Sequence, residues 1–138
     1  MGRRLSDYSA MEALHFTLET ETPPKKNSRI ILANRRSIPS ARYRQWHECA
    51  MLELSQQAMR QEGGLIYAID RPVRITMSFC HGDKKRRDSD NGVSSILDLL
   101  TDSRVIEDDN WQIVRELVVT NSYEKDNAHV DITIEEVT

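Results

Sequence analysis

The sequence predicts a single α+β domain in which a mixed β-sheet is covered on one face by two helices. Two segments carry apolar residues at the three- and four-residue spacing of a helix that buries one face. Five other segments carry the short apolar or alternating runs that are typical of strands. The chain of 138 residues is long enough for one hydrophobic core but short for two. The order β-β-α-β-α-β-β therefore indicates one layered α+β structure.

The predicted strands differ in how regular their patterns are. The segments 14–18 and 73–79 alternate apolar and polar residues, so each is expected to bury one face. The last two strands are expected to be joined by a polar hairpin loop over residues 121–127. The five predicted strands cover residues 14–18, 29–33, 73–79, 112–120 and 128–137.

The two predicted helices have recognisable boundaries. Ser40 is a suitable N-cap for a helix over about residues 41–61, and Gly63-Gly64 ends it. A second helix begins near Asp90 and continues to about Thr101. The apolar face of the first helix consists of Tyr43, Trp46, Ala50, Leu54 and Ala58, and that of the second of Val93, Ile96, Leu97 and Leu100.

Composition excludes several classes of protein. Apolar residues make up 38% of the chain and charged residues 30%, which is adequate for a globular core. No apolar run approaches the ~18 residues of a membrane span, and two cysteines cannot form a disulfide framework. Residues 1–12 lack the apolar core of a secretory signal, and we expect a flexible extension there and a domain over residues 13–138. These features indicate a cytoplasmic protein without a membrane partner.

Charge is distributed unevenly along the chain. Residues 23–87 contain fourteen Lys or Arg and five Asp or Glu, whereas residues 88–138 contain three and thirteen. A basic stretch followed by an acidic one is expected where a polyanion-binding surface lies beside a cation-binding centre. On the charges alone, the alternative is that they mix on the folded surface and have no joint function.

Three aspartates are candidates for binding a divalent cation. Asp88 and Asp90 are two residues apart, so both point to one side of an extended segment at the start of the second helix. Asp109, in the acidic turn after that helix, would complete a site of three carboxylates, with support from Asp108 and Asn91. Oxygen ligands without a His or Cys cluster favour Mg²⁺, with Mn²⁺ as a substitute, over Zn²⁺. Such a site suits the hydrolysis of phosphodiester bonds.

The spacing by itself leaves a simpler explanation open. An Asp-x-Asp sequence before a helix often serves only as a cap, and an acidic turn is often only solvated. A calcium loop of the EF-hand type fits less well. Gly92 comes one place early, and Leu99 stands where the bidentate glutamate is required.

Several motifs together resemble those of one nuclease family. The motifs are Arg87–Asn91 (RDSDN), Ile96–Leu100 (ILDLL) and Val105–Asp109 (VIEDD). Their sequence and spacing are similar to the signature of RusA-type Holliday junction resolvases. The earlier Pro24–Ser28, and Ile38–Ser40 with Tyr43, resemble the N-terminal half of phage-type members. The likeness extends over about residues 14–136, which is nearly the whole chain.

The resemblance implies an α+β homodimer that binds four-way DNA junctions and cuts them symmetrically with Mg²⁺ in DNA recombination and repair. The family's three catalytic aspartates, which also bind the metal, fall on Asp88, Asp90 and Asp109. The similarity to phage-type members suggests that the protein acts in a bacterial or phage-infected cell. A helix of about 18 Å separates Asp90 from the turn that holds Asp109. Whether Asp109 acts in its own chain or from the partner subunit therefore stays open.

One family residue is missing. The family's catalytic lysine, which follows the Asp-x-Asp-Asn motif on the helix, corresponds to Ser94, with Gly92 and Ser95 nearby. The candidates for a replacement positive charge are Lys25, Lys26, Lys85 and Arg87. This departure leaves a second hypothesis, a branched-DNA-binding protein of the same fold without nuclease activity. A third hypothesis is an acidic–basic interaction domain unrelated to nucleases.

Loops rich in Lys and Arg are the expected phosphate contacts. Such contacts do not depend on base sequence and weaken as the salt concentration rises. The residues expected to contact DNA are Lys25, Lys26, Arg29, Arg35, Arg36, Lys84, Lys85, Arg86 and Arg87. Trp111 is expected to pack beneath the acidic turn. The four histidines share no ligand spacing, which argues against zinc.

Overall fold

In the described part of the chain, two helices, a four-stranded mixed sheet and a small two-stranded sheet form one domain, and the predicted α+β class is confirmed. The computed structural model describes residues 11–24, 29–31, 37–61 and 68–137. In chain order the elements are β1 (Leu14–Leu18), β2 (Arg29–Ile31), β3 (Ser37–Pro39), α1 (Ala41–Met59), β4 (Val73–His81), α2 (Ser89–Asp102), β5 (Val114–Tyr123) and β6 (His129–Glu136). The sequence did not predict β3, because three residues that end in a proline carry no strand signal.

The strand order of the main sheet is β1-β6-β4-β5, with β4 and β5 parallel and the other neighbours antiparallel. The hairpin expected for the last two strands is therefore wrong, because β4 lies between β5 and β6. Their connection passes the end of β4, where the amides of Glu124 and Asp126 donate to the carbonyls of His81 and Gly82 at 3.0 Å each. β6 has the regularly buried positions of a central strand, whereas β5 is largely exposed and suits an edge.

The core side of the sheet consists of three rows of apolar residues, each crossing three strands. The alternation of apolar buried residues predicted for β1 and β4 is confirmed. In the register of the sheet, each buried apolar residue of β6 lies between one residue of β1 and one of β4. The rows are Leu14–Ile134–Ile75, Phe16–Ile132–Met77 and Leu18–Val130–Phe79, and all these side chains are at most 5% exposed. Because a one-residue slip would turn a strand's apolar residues to solvent, this register is strongly fixed.

Both helices pack on this side of the sheet and complete the core. Ser40 caps α1 as predicted, and its side chain accepts a 3.2 Å hydrogen bond from the amide of Tyr43. At the start of α2, a Cβ added to Gly92 would lie 2.9 Å from Cε1 of Phe79. Glycine thus lets the first turn of α2 rest directly on the end of β4. The buried apolar residues of the helices are Tyr43, Ala50 and Leu54 on α1 and Ile96, Leu99 and Leu100 on α2.

The β1 edge of the sheet is closed by two glutamines that extend from α1 and the residues after it. The Gln57 side chain accepts a hydrogen bond from the Thr17 amide at 2.8 Å and donates to the Thr17 carbonyl at 2.7 Å. Gln61 makes the same two contacts with His15, at 2.8 and 2.9 Å. Each side-chain amide takes the place of a neighbouring strand, so these backbone groups are not free to pair with another chain.

The opposite edge, β5, is a ten-residue strand with partly exposed apolar side chains. Leu117 and Val118 point to opposite faces of the sheet and are 42% and 41% exposed. Within the described ranges, no strand pairs with β5 on its outer side. A long edge strand of this kind readily accepts a further strand from another chain.

Trp111 does not pack beneath the acidic turn, and that prediction was wrong, since its side chain is 70% exposed. Val105, Ile106 and Ile113 are the buried residues of this region and fill the available core space. The indole ring therefore turns outward, where the Arg115 guanidinium lies 5.7 Å from the ring centre.

The state of the two cysteines and the apolar character of the helices bear on the class of protein. Both cysteines are free, with Cys80 buried and Cys49 exposed. In the parts of the chain that the structure describes, no helix combines the length and apolar character needed to cross a bilayer.

Replacing Gln57 with alanine should lower the free energy of unfolding by about 1–3 kcal/mol, because two backbone groups of Thr17 lose their partners. Urea unfolding followed by circular dichroism measures the change. Gln56→Ala is the matched control, since Gln56 is exposed on the same helix and its loss should cost less than about 0.5 kcal/mol. Equal stability of the two variants would show that the edge contacts contribute nothing.

Candidate active site

Asp88 and Asp90 lie at the N-terminus of α2, beyond the end of β4 and the basic loop that follows it. Asp88 is the N-cap residue, with φ −80° and ψ 135°, yet its side chain makes no capping hydrogen bond. Asp90 lies in the first turn, and both side chains are exposed. Capping therefore does not account for Asp88, whose carboxylate stands at the positive end of the helix dipole.

A cavity of about 380 Å³ opens beside Asp88. Its walls come mainly from the start of α2 with the loop before it, the end of β4 and the segment that follows β1, and single residues of α1, β5 and β6 complete them. Its charged and titratable lining residues include Glu21, Arg42, His81, Arg86, Arg87, Asp88 and His129. The cavity thus combines carboxylates with cationic side chains, which is the combination that phosphodiester chemistry requires.

Asp109 lies at the other end of the sheet. α2 extends for 14 residues, about 21 Å, between Asp88 and the turn that contains Asp109. That turn leads into β5, whose first residue pairs with the first residue of β4, whereas Asp88 follows the last residue of β4. The structure therefore places Asp88 and Asp90 at one end of α2 and Asp109 beyond its other end.

Asp108 and Asn110 order the turn that presents Asp109. The Asp108 carboxylate accepts hydrogen bonds from Asn110 Nδ2 at 2.9 Å and from the Asp109 amide at 2.8 Å. These contacts, that of Asn110 first, hold the pKa of Asp108 below its ordinary value. Both carboxylate oxygens of Asp108 accept hydrogen bonds within the turn. Asp108 therefore supports Asp109 by fixing the backbone of the turn.

Arg87, one of the predicted DNA contacts, is tied into the cavity wall by two carboxylates. Its Nε donates to Glu21 Oε1 at 2.8 Å, and its Nη1 donates to Asp83 Oδ1 at 2.8 Å. The contact with Arg87, followed by the hydrogen bond from the Lys85 amide, lowers the pKa of Asp83 to about 2. The pKa of Arg87 is raised in turn, chiefly by Asp83. Arg87 therefore orders the loop before α2 in addition to adding positive charge.

The other predicted DNA contacts fall into three groups. Lys84, Lys85 and Arg86 are exposed in the loop before Asp88, and the Lys84 ammonium lies 5.0 Å from the ring centre of Tyr123. Arg29 lies in β2. Lys25, Lys26, Arg35 and Arg36 lie outside the described residues, as does the predicted N-terminal extension up to residue 10.

The α2 positions near the expected lysine are neutral. Ser94 is exposed, while Ser95 is buried and donates a 2.6 Å hydrogen bond to the carbonyl of Pro23. This bond ties α2 to the segment that carries Glu21. Asn91, a predicted supporting residue, lines the cavity from the first turn of α2. α2 contains no Lys or Arg, so a cation at this site has to come from another element.

The structure places around the cavity a group of residues that the sequence motifs did not indicate, namely His81, Glu21 and Asn121. His81 Nδ1 donates to Glu21 Oε1 at 2.5 Å, and Nε2 lies 2.9 Å from Asn121 Oδ1. The three residues come from β4, the segment after β1, and β5, so no local motif joins them. One sequence signal did point to His81. Residues 73–79 alternate between the two faces of the sheet, and continuing this alternation by two residues places His81 on the core face.

A second group of candidate metal ligands bridges the two helices. Ligand atoms of His47, Asp98 and Asp102 lie within 4.8 Å of one another, and His47 Nε2 is 2.9 Å from Asp102 Oδ2. The Tyr43 hydroxyl donates to Asp98 at 3.3 Å, and burial, then the charge of Asp98, raises the pKa of Tyr43. The histidine spacing could not indicate this group, because its members are up to 55 residues apart. A nitrogen ligand with carboxylates suits Zn²⁺ or Mn²⁺ better than Mg²⁺.

A pH titration should reveal the contact between Arg87 and Asp83. The pKa of Asp83 is about 2 in the folded protein and about 3.9 in an unfolded chain, so the contact stabilises the fold above pH ~4. This stabilisation should disappear as the pH falls from about 4 to about 2. NMR titration of the Asp83 carboxyl should give a midpoint of about 2, which moves up towards about 4 in Arg87→Gln. Arg86→Gln, at an exposed neighbour, is the control, and an unshifted midpoint in the wild type would contradict the contact.

Comparison with known protein families finds a match that covers most of the chain. The sequence matches the family described as Endodeoxyribonuclease RusA over residues 21–135. No curated protein matches it significantly. The matched span contains the cavity residues, the two aspartates at the start of α2 and the acidic turn. The resemblance inferred from the motifs is thus confirmed, and the chain belongs to the RusA endodeoxyribonuclease family.

Proposed function

We propose that this protein is a Mg²⁺-dependent, structure-selective endodeoxyribonuclease that resolves four-way DNA junctions by paired, symmetric hydrolysis of phosphodiester bonds. The observation that carries the proposal is the pair Asp88 and Asp90, exposed at the N-terminus of α2, with Asp88 in the wall of a cavity that arginines also line. Membership of an endodeoxyribonuclease family supports DNA as the substrate. The reaction would serve DNA recombination and repair in the cytoplasm of a bacterial or phage-infected cell.

The carboxylates at the start of α2 fit a hard divalent cation. Asp88 and Asp90 offer oxygen ligands, the donor type that Mg²⁺ and Mn²⁺ prefer. The Asp88 carboxylate is not used as a helix cap, so the end of α2 does not engage its oxygens. When bound, the ion supplies an activated water and shields the phosphate charge from the two carboxylates. The aspartates position the ion, and the surrounding cations position the DNA.

Cationic side chains around the cavity provide the hold on the DNA backbone. Lys84, Lys85 and Arg86 are exposed, and Arg86 also lines the cavity together with Arg42. Contacts of this kind neutralise phosphates without reading bases, so junction binding should weaken steeply with salt. Further contacts are proposed for Lys25, Lys26, Arg29, Arg35 and Arg36.

We infer that a complete centre needs two chains. Asp109 is one of the three proposed metal ligands, yet about 21 Å of helix separates it from Asp88 in the same chain. An aspartate side chain is far too short to bridge that gap. A homodimer removes the difficulty if the partner's Asp109 completes the centre.

The β5 edge supports a specific arrangement of that dimer. Antiparallel pairing of β5 with its copy across a two-fold axis sets the start of one strand beside the end of the other. Asp109 precedes the start of β5, while the end of β5, at Tyr123, lies beside His81 and the cavity. The partner's Asp109 would therefore approach Asp88 and Asp90, and the axis would create two such centres. The same pairing would cover the exposed apolar side chains of β5.

Ser94 supports a second candidate function, binding of branched DNA without cleavage. The residue is exposed and neutral where the family resemblance leads us to expect a catalytic lysine. A protein that keeps the basic surface but lacks an essential cation would bind junctions and leave them intact. Metal-dependent cleavage distinguishes the two functions, whereas binding measurements do not.

Cleavage of a labelled four-way junction tests the proposed function. The wild type should make paired symmetric cuts in Mg²⁺ or Mn²⁺, no cuts in EDTA, and fewer cuts in linear duplex of the same sequence. Asp88→Asn should slow cleavage by at least ~100-fold, because it removes a charged ligand. Glu107→Gln, at an exposed acid of the turn after α2, is the matched control and should retain activity. Tight binding without cuts would favour the inactive binder, and no preference for the junction would contradict both functions.

Mixed dimers test the two-chain centre. Chains carrying Asp88→Asn and Asp109→Asn, with different affinity tags, are co-expressed and the heterodimer is purified. If Asp109 acts from the partner subunit, one centre is intact and the other is doubly impaired, so a cruciform plasmid should be nicked without being linearised. If Asp109 acts within its own chain, both centres are impaired and the plasmid stays intact, which would contradict the arrangement. A dimer of two differently tagged Asp88→Asn chains is the inactive control.

A further inference from the structure

His81 has a fixed orientation in the wall of the cavity. It is the last residue of β4 and is 21% exposed, and its ring lies parallel to that of Phe79 with the centres 6.4 Å apart. Nδ1 donates to Glu21 Oε1 at 2.5 Å, and Nε2 lies 2.9 Å from Asn121 Oδ1. Both ring nitrogens thus face oxygen atoms that can accept a hydrogen bond.

Glu21 is held so that it can orient this ring. The carboxylate oxygen that accepts from His81 also accepts from Arg87 Nε at 2.8 Å, and Arg87 is fixed in turn by Asp83 at 2.8 Å. The backbone near Glu21 is tied to α2 by the hydrogen bond from Ser95 to Pro23. A carboxylate behind an imidazole fixes the tautomer and the direction of the ring, as it does in other proton-transfer sites.

Two other cations near the cavity, Arg87 and Lys84, are poorly suited to proton transfer. The Arg87 guanidinium keeps its proton at any physiological pH and is paired with two carboxylates. The Lys84 ammonium lies over the Tyr123 ring. α2 supplies a neutral serine at position 94 instead of a lysine. Histidine is the side chain that most readily gives and regains a proton near neutral pH.

We propose that His81 is a catalytic residue, the general acid that protonates the leaving oxygen of the phosphodiester, and that Glu21 is its positioning residue. This inference rests on the proposed nuclease function. As the oxygen of the attacking water bonds to phosphorus, the bond from phosphorus to the leaving ester oxygen breaks, and its electron pair stays on that oxygen. The oxygen takes the proton from His81 Nε2, in the place that Asn121 Oδ1 occupies without DNA. The proton lost by the water goes to solvent, from which His81 regains its own.

A change of leaving group separates this role from binding or folding. A junction is made with sulfur in place of the leaving bridging oxygen, at the bond that the wild type cuts. Because a thiolate leaves without being protonated, this junction does not need a general acid. His81→Gln should cut the oxygen junction ~10²–10⁴-fold more slowly than the wild type, and the sulfur junction within about tenfold of it. His15→Gln, at an exposed histidine of β1, is the control and should behave as the wild type on both.

Glu21→Gln tests the positioning role by activity and by spectroscopy. It should slow cleavage of the oxygen junction ~10–100-fold, less than His81→Gln does, and much less on the sulfur junction. In the protein without metal or DNA, proton NMR should show the hydrogen-bonded Nδ1 proton of His81 far downfield. That resonance should move upfield or exchange away in Glu21→Gln. An unchanged resonance would overturn the role of Glu21.

The outcomes distinguish this proposal from the proposed function. Equal losses on the two junctions, or full activity of His81→Gln beside Asp88-dependent cutting by the wild type, would overturn the role of His81 alone. If the wild type cuts neither junction, or if Asp88→Asn cuts as fast as the wild type, the proposed function fails and this proposal fails with it.

Discussion

The parallel pairing of β4 with β5 is the constraint on which the candidate site depends. A strand can reach a parallel neighbour only by a crossover, so α2 has to return along the sheet for the length of β4. The acids that the sequence places before and after α2 are therefore held at opposite ends of the sheet. The same crossover lays Ile96, Leu99 and Leu100 over the apolar rows. The parallel pairing of β4 with β5 thus completes the core and also separates the acids before α2 from those after it.

The cavity beside Asp88 depends on contacts among residues that are remote in sequence. Glu21 joins His81 to Arg87, Arg87 joins Glu21 to Asp83, and Ser95 fixes the intervening segment to α2. Charges held in this way do not have to reorganise when an anion arrives. Gly92 contributes by letting the start of α2 approach Phe79 closely, which sets the height of Asp88 above the sheet.

Local signals allowed much of the fold to be predicted. Alternation identified β1 and β4, the serine before α1 identified its cap, and the RDSDN motif located the start of α2 and the family. Interactions between remote segments could not be predicted in this way. The polar residues 121–127 suit a hairpin turn, yet burial decides that β6 pairs with β4 and leaves β5 at the edge. For the same reason the His81–Glu21 pair and the His47, Asp98 and Asp102 group had no pattern by which to find them.

The glutamines that close the β1 edge limit how far an assembly can grow. Head-to-tail joining of β5 of one copy to β1 of the next would have no natural end and would build a filament. Gln57 and Gln61 already occupy the backbone groups that this joining needs. Pairing of β5 with β5 would instead use the remaining edge of the four-stranded sheet and give one continuous sheet of twice four strands. Because side chains of the same chain close the β1 edge and the partner's β5 would pair with the other edge, such an assembly would stop at two chains.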